Sequence, residues 1–362
     1  MKLSLKNIGK LKEAFVEVDG ITVIAGENNT GKSTVGRALF SLFNGFYKIE
    51  DRVMEERLES IENVLRRLWP GQQGYIRHIP AVIAIPRMAR EIAEQSKKSG
   101  GAEQTVEQTM QMLFQEDGEQ KEKVLEQDIL KEAAFQIRKI LDIPDHELIT
   151  SVFEKNLLSE FNGQVSNIFS DGGGEIWLEI RGQKAGVLIE KQHVVDVVNP
   201  DHFSFRTESI YMDDPLVMND MGAFFAPPGA NGLEHRAQLL SKLKYRPQKE
   251  NLADQIVARN KLKDIYDKIS NVCDGEVRFD KISGFVYQKT DHDKALDVRN
   301  LSTGLKTFAI LKTLLINGAI EYNGTIILDE PEIHLHPEWQ LLLAELIVLI
   351  QREFGLHVLL NT

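Results

Sequence analysis

The chain has 362 residues, of which 42% are apolar and 27% charged, and its formal net charge is −11. That length calls for about two lobes, or one domain with a large insertion, around a sizeable buried core. The acidic balance excludes nonspecific wrapping of nucleic acid by the whole surface, no apolar run reaches the roughly 18 residues a membrane span needs, and the single cysteine, Cys273, excludes an internal disulfide or a cysteine-based zinc cluster.

In chain order, the opening MKLSLKNIGK has neither the apolar region nor the small-residue cleavage site of a signal peptide, so a cytoplasmic protein is expected. Leu3, Leu5 and Ile8, then Phe15, Val16 and Val18, predict short strands. Residues 21–25 form an apolar, β-branched run of the kind found in parallel strands buried on both faces. A glycine-bounded loop leads into a helical pattern from Lys32 to about Phe43. Residues 51–161 are mostly helical and polar, with breakers at Pro70-Gly71, Pro80, Pro86, Gly100-Gly101 and Pro144. Heptads are not sustained, so a few antiparallel helices are expected rather than a coiled coil.

Gly172-Gly173-Gly174 marks a turn before strand-like segments at 175–181, 186–198 and 209–212, the last ending in Asp213-Asp214-Pro215. Residues 233–270 read as helical. They carry Arg236, Lys242, Lys244, Arg246, Lys249, Arg259, Lys261 and Lys263, interrupted by Glu234, Glu250, Asp254 and Asp264. That mixture reads as a solvated helix face rather than a nucleic-acid groove. Strands at 276–279 and 284–288, a helix at 304–317, a strand at 325–328, a helix at 338–354 and a strand at 357–360 complete the chain. The whole is an α/β arrangement with a mainly parallel sheet, added antiparallel strands and a helical insertion. Residues 1–50 and 273–362 form the two parts of one head, 51–165 the insertion, 166–232 a strand-rich return to the head, and 233–272 a helical segment.

Three segments carry chemistry. Gly26, Glu27, Asn28, Asn29, Thr30, Gly31, Lys32 and Ser33, with Thr34 beside them, fit the phosphate-cradling pattern G-x-x-x-x-G-K-S/T between a strand and a helix. The glycines let the backbone curl until its N–H groups converge on phosphate oxygens, and the helix N-terminus adds partial positive charge. Lys32 supplies a full charge to the β- and γ-phosphates, and the Ser33 hydroxyl is placed to hold Mg²⁺. The second segment, an apolar strand ending in Asp329-Glu330, puts two carboxylates at a strand's C-terminal end, where ligands of open α/β sheets bind. There Asp329 can reach Mg²⁺ through water, and Glu330 can orient or deprotonate an attacking water. The third, Asn300 to Lys306, offers Ser302 as a helix cap and Gly304 as a point of close approach for a phosphate. One nucleotide does not need two cradles, so the third segment either serves the ATP of a second copy or is an ordinary helix cap.

The order of these segments resembles that of ABC-type P-loop ATPases, with LSTG similar to the signature LSGGQ or LSGGE. ILDEPEIHLHPEWQ resembles the subgroup that contains the SMC-like repair ATPases and the OLD (overcoming lysogenization defect) ATPases. The resemblance covers residues 1–45 and about 275–362. It implies an ATP- and Mg²⁺-dependent hydrolase that closes a head-to-head homodimer, with Ser302 and Gly304 contacting the γ-phosphate held by the opposite copy. It also implies that Asp329 serves the metal, Glu330 is the catalytic base, and His334 and His336 lie toward the dimer partner. Members of the subgroup act in phage defence or DNA processing, often with a nuclease or other effector.

Three departures stand out. Thr303 and Leu305 replace the signature's usual glycine and Glu/Gln. No glutamine can be assigned the family's magnesium-sensing role. Relatives continue past this point into a histidine that contacts the γ-phosphate, which implies a chain truncated after Asn361-Thr362. An ATP-gated scaffold with little turnover is therefore an alternative. A transporter's nucleotide-binding subunit fits less well, because about 270 residues separate Lys32 from Ser302.

Overall fold

The structure, a computed structural model, describes residues 1–68, 75–76, 79–98, 127–220, 234–244, 262–280 and 282–362. Of the sequence features above, Pro70-Gly71, Gly100-Gly101 and the basic residues Arg246, Lys249, Arg259 and Lys261 lie outside them. The described residues cluster into two compact units, one of 1–47 and 153–362, the other of 48–152.

In the larger unit, alternation decides the first strand. In β1 (Lys2–Ile8), Leu3 and Leu5 are buried while Lys6 faces solvent. Asn7, at φ 52, interrupts the alternation, so that Ile8 faces the core. β1 pairs antiparallel with β2 (Leu11–Glu17). Its other edge takes β6 (Gly174–Ile180), and the sheet continues through β7 (Gln183–Glu190) and β8 (His193–Val198), in the order β2-β1-β6-β7-β8. Both connections here are two-residue turns with positive φ at each centre, Arg181-Gly182 and Lys191-Gln192, the geometry that matches strand twist. The second turn contains no glycine, and the expected single segment at 186–198 is instead the end of β7, this turn and β8.

The parallel sheet has the order β3-β14-β13-β9, from β3 (Ile21–Ile24), β14 (His357–Asn361), β13 (Thr325–Asp329) and β9 (Ser209–Met212). All residues of β13 and β9 are buried. β3 departs from the expectation of burial on both faces: it is the edge strand, with a partner on one side only, and Val23 is 53% exposed. Among the described residues the only other parallel pairing is the isolated bridge of Tyr47 with Phe205, so the expected mainly parallel sheet has four strands against the five of the antiparallel one.

Helix α1 (Lys32–Phe46) packs on the parallel sheet. Gly36 permits that approach: a Cβ there would lie 3.1 Å from Ile327 Cγ2, 3.2 Å from the Tyr211 hydroxyl and 3.3 Å from Asn361 Nδ2. The smaller unit contains α2 (Ile49–Leu68), the short pair β4 (Tyr75–Ile76) and β5 (Ile79–Pro80), α3 (Ala81–Lys98) and α4 (Gln127–Leu141); α5 (Asp145–Glu160) supplies residues to both units. Its core is a helical stripe, with Ile61 and Leu65 of α2 against Ile85, Met88, Ala89 and Ile92 of α3 and Ala133, Ala134 and Ile137 of α4. Buried Arg57 donates to the carbonyls of Ile140, Leu141 and Ile143 at 2.8–2.9 Å and to the Asp145 carboxylate at 2.6 Å. It thus closes the C-terminal end of α4. Pro86 does not break α3 as expected. It sits in the second turn, where one hydrogen bond is lost, and the buried face on either side of it outweighs that loss.

The rest of the larger unit is built on an apolar cluster centred on Phe308, Ile310, Leu314, Leu346 and Ile350. It draws together α6 (His235–Lys244), α7 (Lys263–Ser270), α8 (Thr303–Ile316) and α9 (Pro337–Phe354) with the hairpin sheet β10 (Glu276–Asp280), β11 (Gly284–Gln288) and β12 (Ala295–Asp297).

Candidate nucleotide site

The loop before α1 is exposed from Gly26 to Thr30, but the lysine at its end is 7% exposed. Lys32 Nζ donates to the carbonyl oxygens of Gly26 at 2.6 Å and Glu27 at 3.1 Å, and lies 3.9 Å from Glu330 Oε1. The loop closes on itself through Thr30 Oγ1, which donates to the Glu27 carbonyl at 2.9 Å. Asn29 adopts φ 69, and its side-chain oxygen accepts from Lys10. Asn28 sits exposed at the tip. Gly31 is at φ 102, a conformation that favours glycine, and a Cβ there would also have to displace the Leu11 side chain, whose Cδ2 would lie 2.6 Å away. No side chain caps α1, which leaves its first N–H groups to a ligand. Thr34 packs against Gly9, and Ser33 occupies the first turn of α1, half-buried.

Asp329, 8% exposed, lies at the end of β13. Its Oδ2 accepts from the Tyr211 hydroxyl at 3.1 Å and its Oδ1 from Asn361 Nδ2 at 3.0 Å. The same Asn361 nitrogen donates to the Lys32 carbonyl at 3.2 Å. One amide therefore joins the start of α1 to the acidic strand end, putting the backbone next to Ser33 two hydrogen bonds from the Asp329 carboxylate. Asn361 is fully buried, and its Oδ1 has no partner. Glu330 follows at φ 48, a costly conformation for a glutamate, with its N–H donating to the Asn361 carbonyl at 2.8 Å. Burial, reinforced by the charge of Asp329, raises the Tyr211 phenol well above its ordinary value, so it remains a proton donor.

Behind this pair lies a charged cluster. The Tyr211 ring stacks on His235 at 4.2 Å between centroids. His235 Nδ1 is 2.7 Å from Glu160 Oε1, its backbone N–H donates to Glu160 Oε2 at 3.0 Å, and its Nε2 lies 3.1 Å from Asp213 Oδ2. Arg236 grips Asp213 with Nε and Nη2, the shortest contact being 2.6 Å. Burial disfavours the charged imidazole, but the paired carboxylates Asp213 and Glu160 outweigh it and raise His235 to about 9. Burial likewise opposes the Asp213 carboxylate, and His235 and Arg236 together hold it well below the usual range.

The third segment forms a second, open groove of about 300 Å³, lined by Ser302, Thr303, Gly304, His334, His336 and Trp339. Ser302 caps α8 as its sequence suggested, Oγ accepting from the Leu305 N–H at 3.3 Å. Gly304 has a packing reason of its own: a Cβ there would lie 2.9 Å from the His334 carbonyl and 3.2 Å from Leu335 Cδ2. Trp339 anchors the groove edge-on to Phe308. Among the described residues no cluster of three or more His, Cys, Asp or Glu could hold a metal ion by itself. The structure thus brings Lys32, Asp329 and Glu330 together, with Ser302 and Gly304 in the second groove. Tyr211 and Asn361 escaped sequence reasoning; their one signal is their place near the C-terminal ends of parallel strands. β9 is followed by Asp213 rather than a glutamine.

Residues 169–362, more than half of the chain, match the family described as "AAA domain, putative AbiEii toxin, Type IV TA system". The chain therefore belongs to that family, and its fold is that of a P-loop nucleotide-binding ATPase. Matches among solved structures include the SMC head domain from Thermotoga maritima, 11% identical over 100% of this chain and 88% of that one, with a TM-score of 0.33. No curated protein matches the chain. Among the described residues no helix is long and apolar enough to cross a membrane.

Proposed function

We propose, taking that family membership as premise, that this chain is an ATP-hydrolysing switch of the ABC/SMC-like kind, which closes a head-to-head dimer on ATP. The observation that carries the reading is the Asn361 bridge, because it joins the phosphate cradle to the acidic strand end. In this reading Gly26, Glu27, Asn28, Asn29, Thr30 and Gly31 wrap the phosphates with Thr34 behind them, and Lys32 turns its ammonium from two loop carbonyls to phosphate oxygens. The Ser33 hydroxyl and the Asp329 carboxylate are hard oxygen donors suited to Mg²⁺, and the unpartnered Asn361 Oδ1 adds a buried acceptor beside them. Mg²⁺, when bound, neutralises phosphate charge. Glu330 orients and deprotonates the attacking water.

Ser302 and Gly304 serve the nucleotide of a second copy. The Ser302 oxygen accepts from Leu305 and keeps its own proton to donate to a phosphate. Because ATP touches both chains only when they are closed, it shifts the equilibrium toward the dimer. The family description points to a toxin–antitoxin setting, and the motif resemblance to phage defence or DNA processing, with DNA and a nuclease or other effector as partners in the cytoplasm. The test is Glu330→Gln. Hydrolysis should slow by about a hundredfold or more, and light scattering should show an ATP-dependent dimer. An unchanged oligomeric state with ATP would remove the dimer from the proposal, and unchanged hydrolysis would remove the assigned base.

A further inference from the structure

The hydroxyl that holds Asp329 belongs to a tyrosine which is itself held by charges from other elements. Tyr211 projects from β9, and its ring packs with Phe40 of α1, at 6.1 Å, and stacks on His235 at the start of α6, at 4.2 Å, the Phe40 and His235 rings lying 6.0 Å apart. His235 is held at Nδ1 by Glu160 at the last position of α5, at 2.7 Å, and its Nε2 lies 3.1 Å from the Asp213 carboxylate just after β9, a charge pairing rather than an aligned hydrogen bond. Arg37 of α1 lies 3.9 Å from Glu160, and Arg236 closes the far side of Asp213. Glu160 has a fully buried side chain, and His235 and Tyr211 are 5% and 1% exposed. Removing two carboxylates and an imidazolium from water is costly, and replacing such a set by apolar groups is often neutral or stabilising. Stability alone therefore does not account for this cluster behind the site.

We propose that Tyr211 and His235 are positioning residues for the metal: the imidazole, set between Glu160 and Asp213, holds the phenol ring in place, and the phenol hydroxyl aims the Asp329 carboxylate. The ends of α5 and α6 then set how tightly the site takes a divalent cation with its nucleotide. This inference rests on the reading of Asp329 as the magnesium carboxylate. It goes beyond that reading in assigning the control of metal affinity to residues that touch neither nucleotide nor metal. Outer partners of a ligating carboxylate orient it, and their loss costs about tenfold or more in metal affinity.

The test is calorimetric titration of a non-hydrolysable ATP analogue into the full chain, in EDTA and at a series of Mg²⁺ concentrations. Tyr211→Phe keeps the ring and removes the hydroxyl. The Mg²⁺ concentration giving half of the metal-dependent gain in affinity should rise about tenfold, while affinity in EDTA stays unchanged. His235→Gln should shift the same midpoint in the same direction. If His235 acts only through the phenol, the double variant should be no worse than Tyr211→Phe alone. A Tyr211→Phe midpoint equal to wild type overturns the inference even if His235→Gln fails to fold. A fully additive double variant overturns the role given to His235. Wild-type protein that gains no affinity from Mg²⁺ overturns the reading of Asp329 itself, a result distinct from either.

Discussion

Helices α1 and α8 both begin at a loop suited to anions, yet their first turns are built in opposite ways. α1 has no side-chain cap, starts from Gly31 at φ 102 and carries a buried ammonium within reach of its own loop carbonyls. α8 is capped by Ser302, and Gly304 is pressed against the His334 carbonyl. The open end has donors and charge to offer a ligand. The closed end spends the Leu305 N–H on its own cap and offers the Ser302 hydroxyl proton and a groove wall. The difference fits a division of labour in which α1 captures the nucleotide and α8 recognises one already captured by another copy.

Substitutions at the two ends should therefore fail differently. Lys32→Ala removes the charge and its hydrogen bonds, each worth about 1.5–3 kcal/mol. ATP binding by the isolated chain should fall at least a hundredfold by titration with a fluorescent analogue; binding within threefold of wild type would break the comparison. Behind the α1 end sits the imidazolium, faced by Glu160 of α5, Asp213 and Tyr211 at β9, Arg236 of α6 and Arg37 of α1. Its folded value of about 9 exceeds the ordinary 6.5. A raised value means that the pair's contribution is complete below about pH 6.5 and is lost as pH rises through about 9, on the order of 3 kcal/mol in all. Thermal melts from pH 6.5 to 9.5 should show wild type losing stability that His235→Gln does not lose; parallel slopes would place the proton elsewhere.

At the other end the effects should be smaller. Gly304→Ala places a Cβ 2.9 Å from a carbonyl and should cost about 1–3 kcal/mol of stability, measured by urea unfolding. ATP binding by the single chain should stay intact, and a loss there would mean that the groove and the α1 site are not separate. Ser302→Ala loses one cap, about 1 kcal/mol, and should weaken ATP-driven dimerisation in light scattering while leaving monomer binding unchanged. Equal dimerisation of this variant would reduce Ser302 to a cap.

Much of this was legible in the sequence where the deciding interactions are local. The Gly26-to-Ser33 pattern, the cap at Ser302 and the helical periods of α8 and α9 each depend on residues within about a turn of one another. Other readings failed where a neighbour decided the outcome. The apolar run at 21–25 looks the same whether the strand is central or at an edge, and β3 is at an edge. The turn at Lys191-Gln192 has no glycine to announce it. Pro86 breaks helices as a rule, but in α3 the apolar face packed around it prevails.

By itself, then, the chain's residue order determined a glycine-bounded loop of the phosphate-cradling pattern, an acidic strand end and a capped helix, because each is short-range chemistry written in adjacent residues. Only the tertiary structure decided that Asn361 would bridge Lys32 to Asp329 and that Tyr211 would reach the same carboxylate, since these partners lie 329, 32 and 118 residues apart. Such contacts arise from the order of strands in a sheet, which depends on how faces pack rather than on any local spacing.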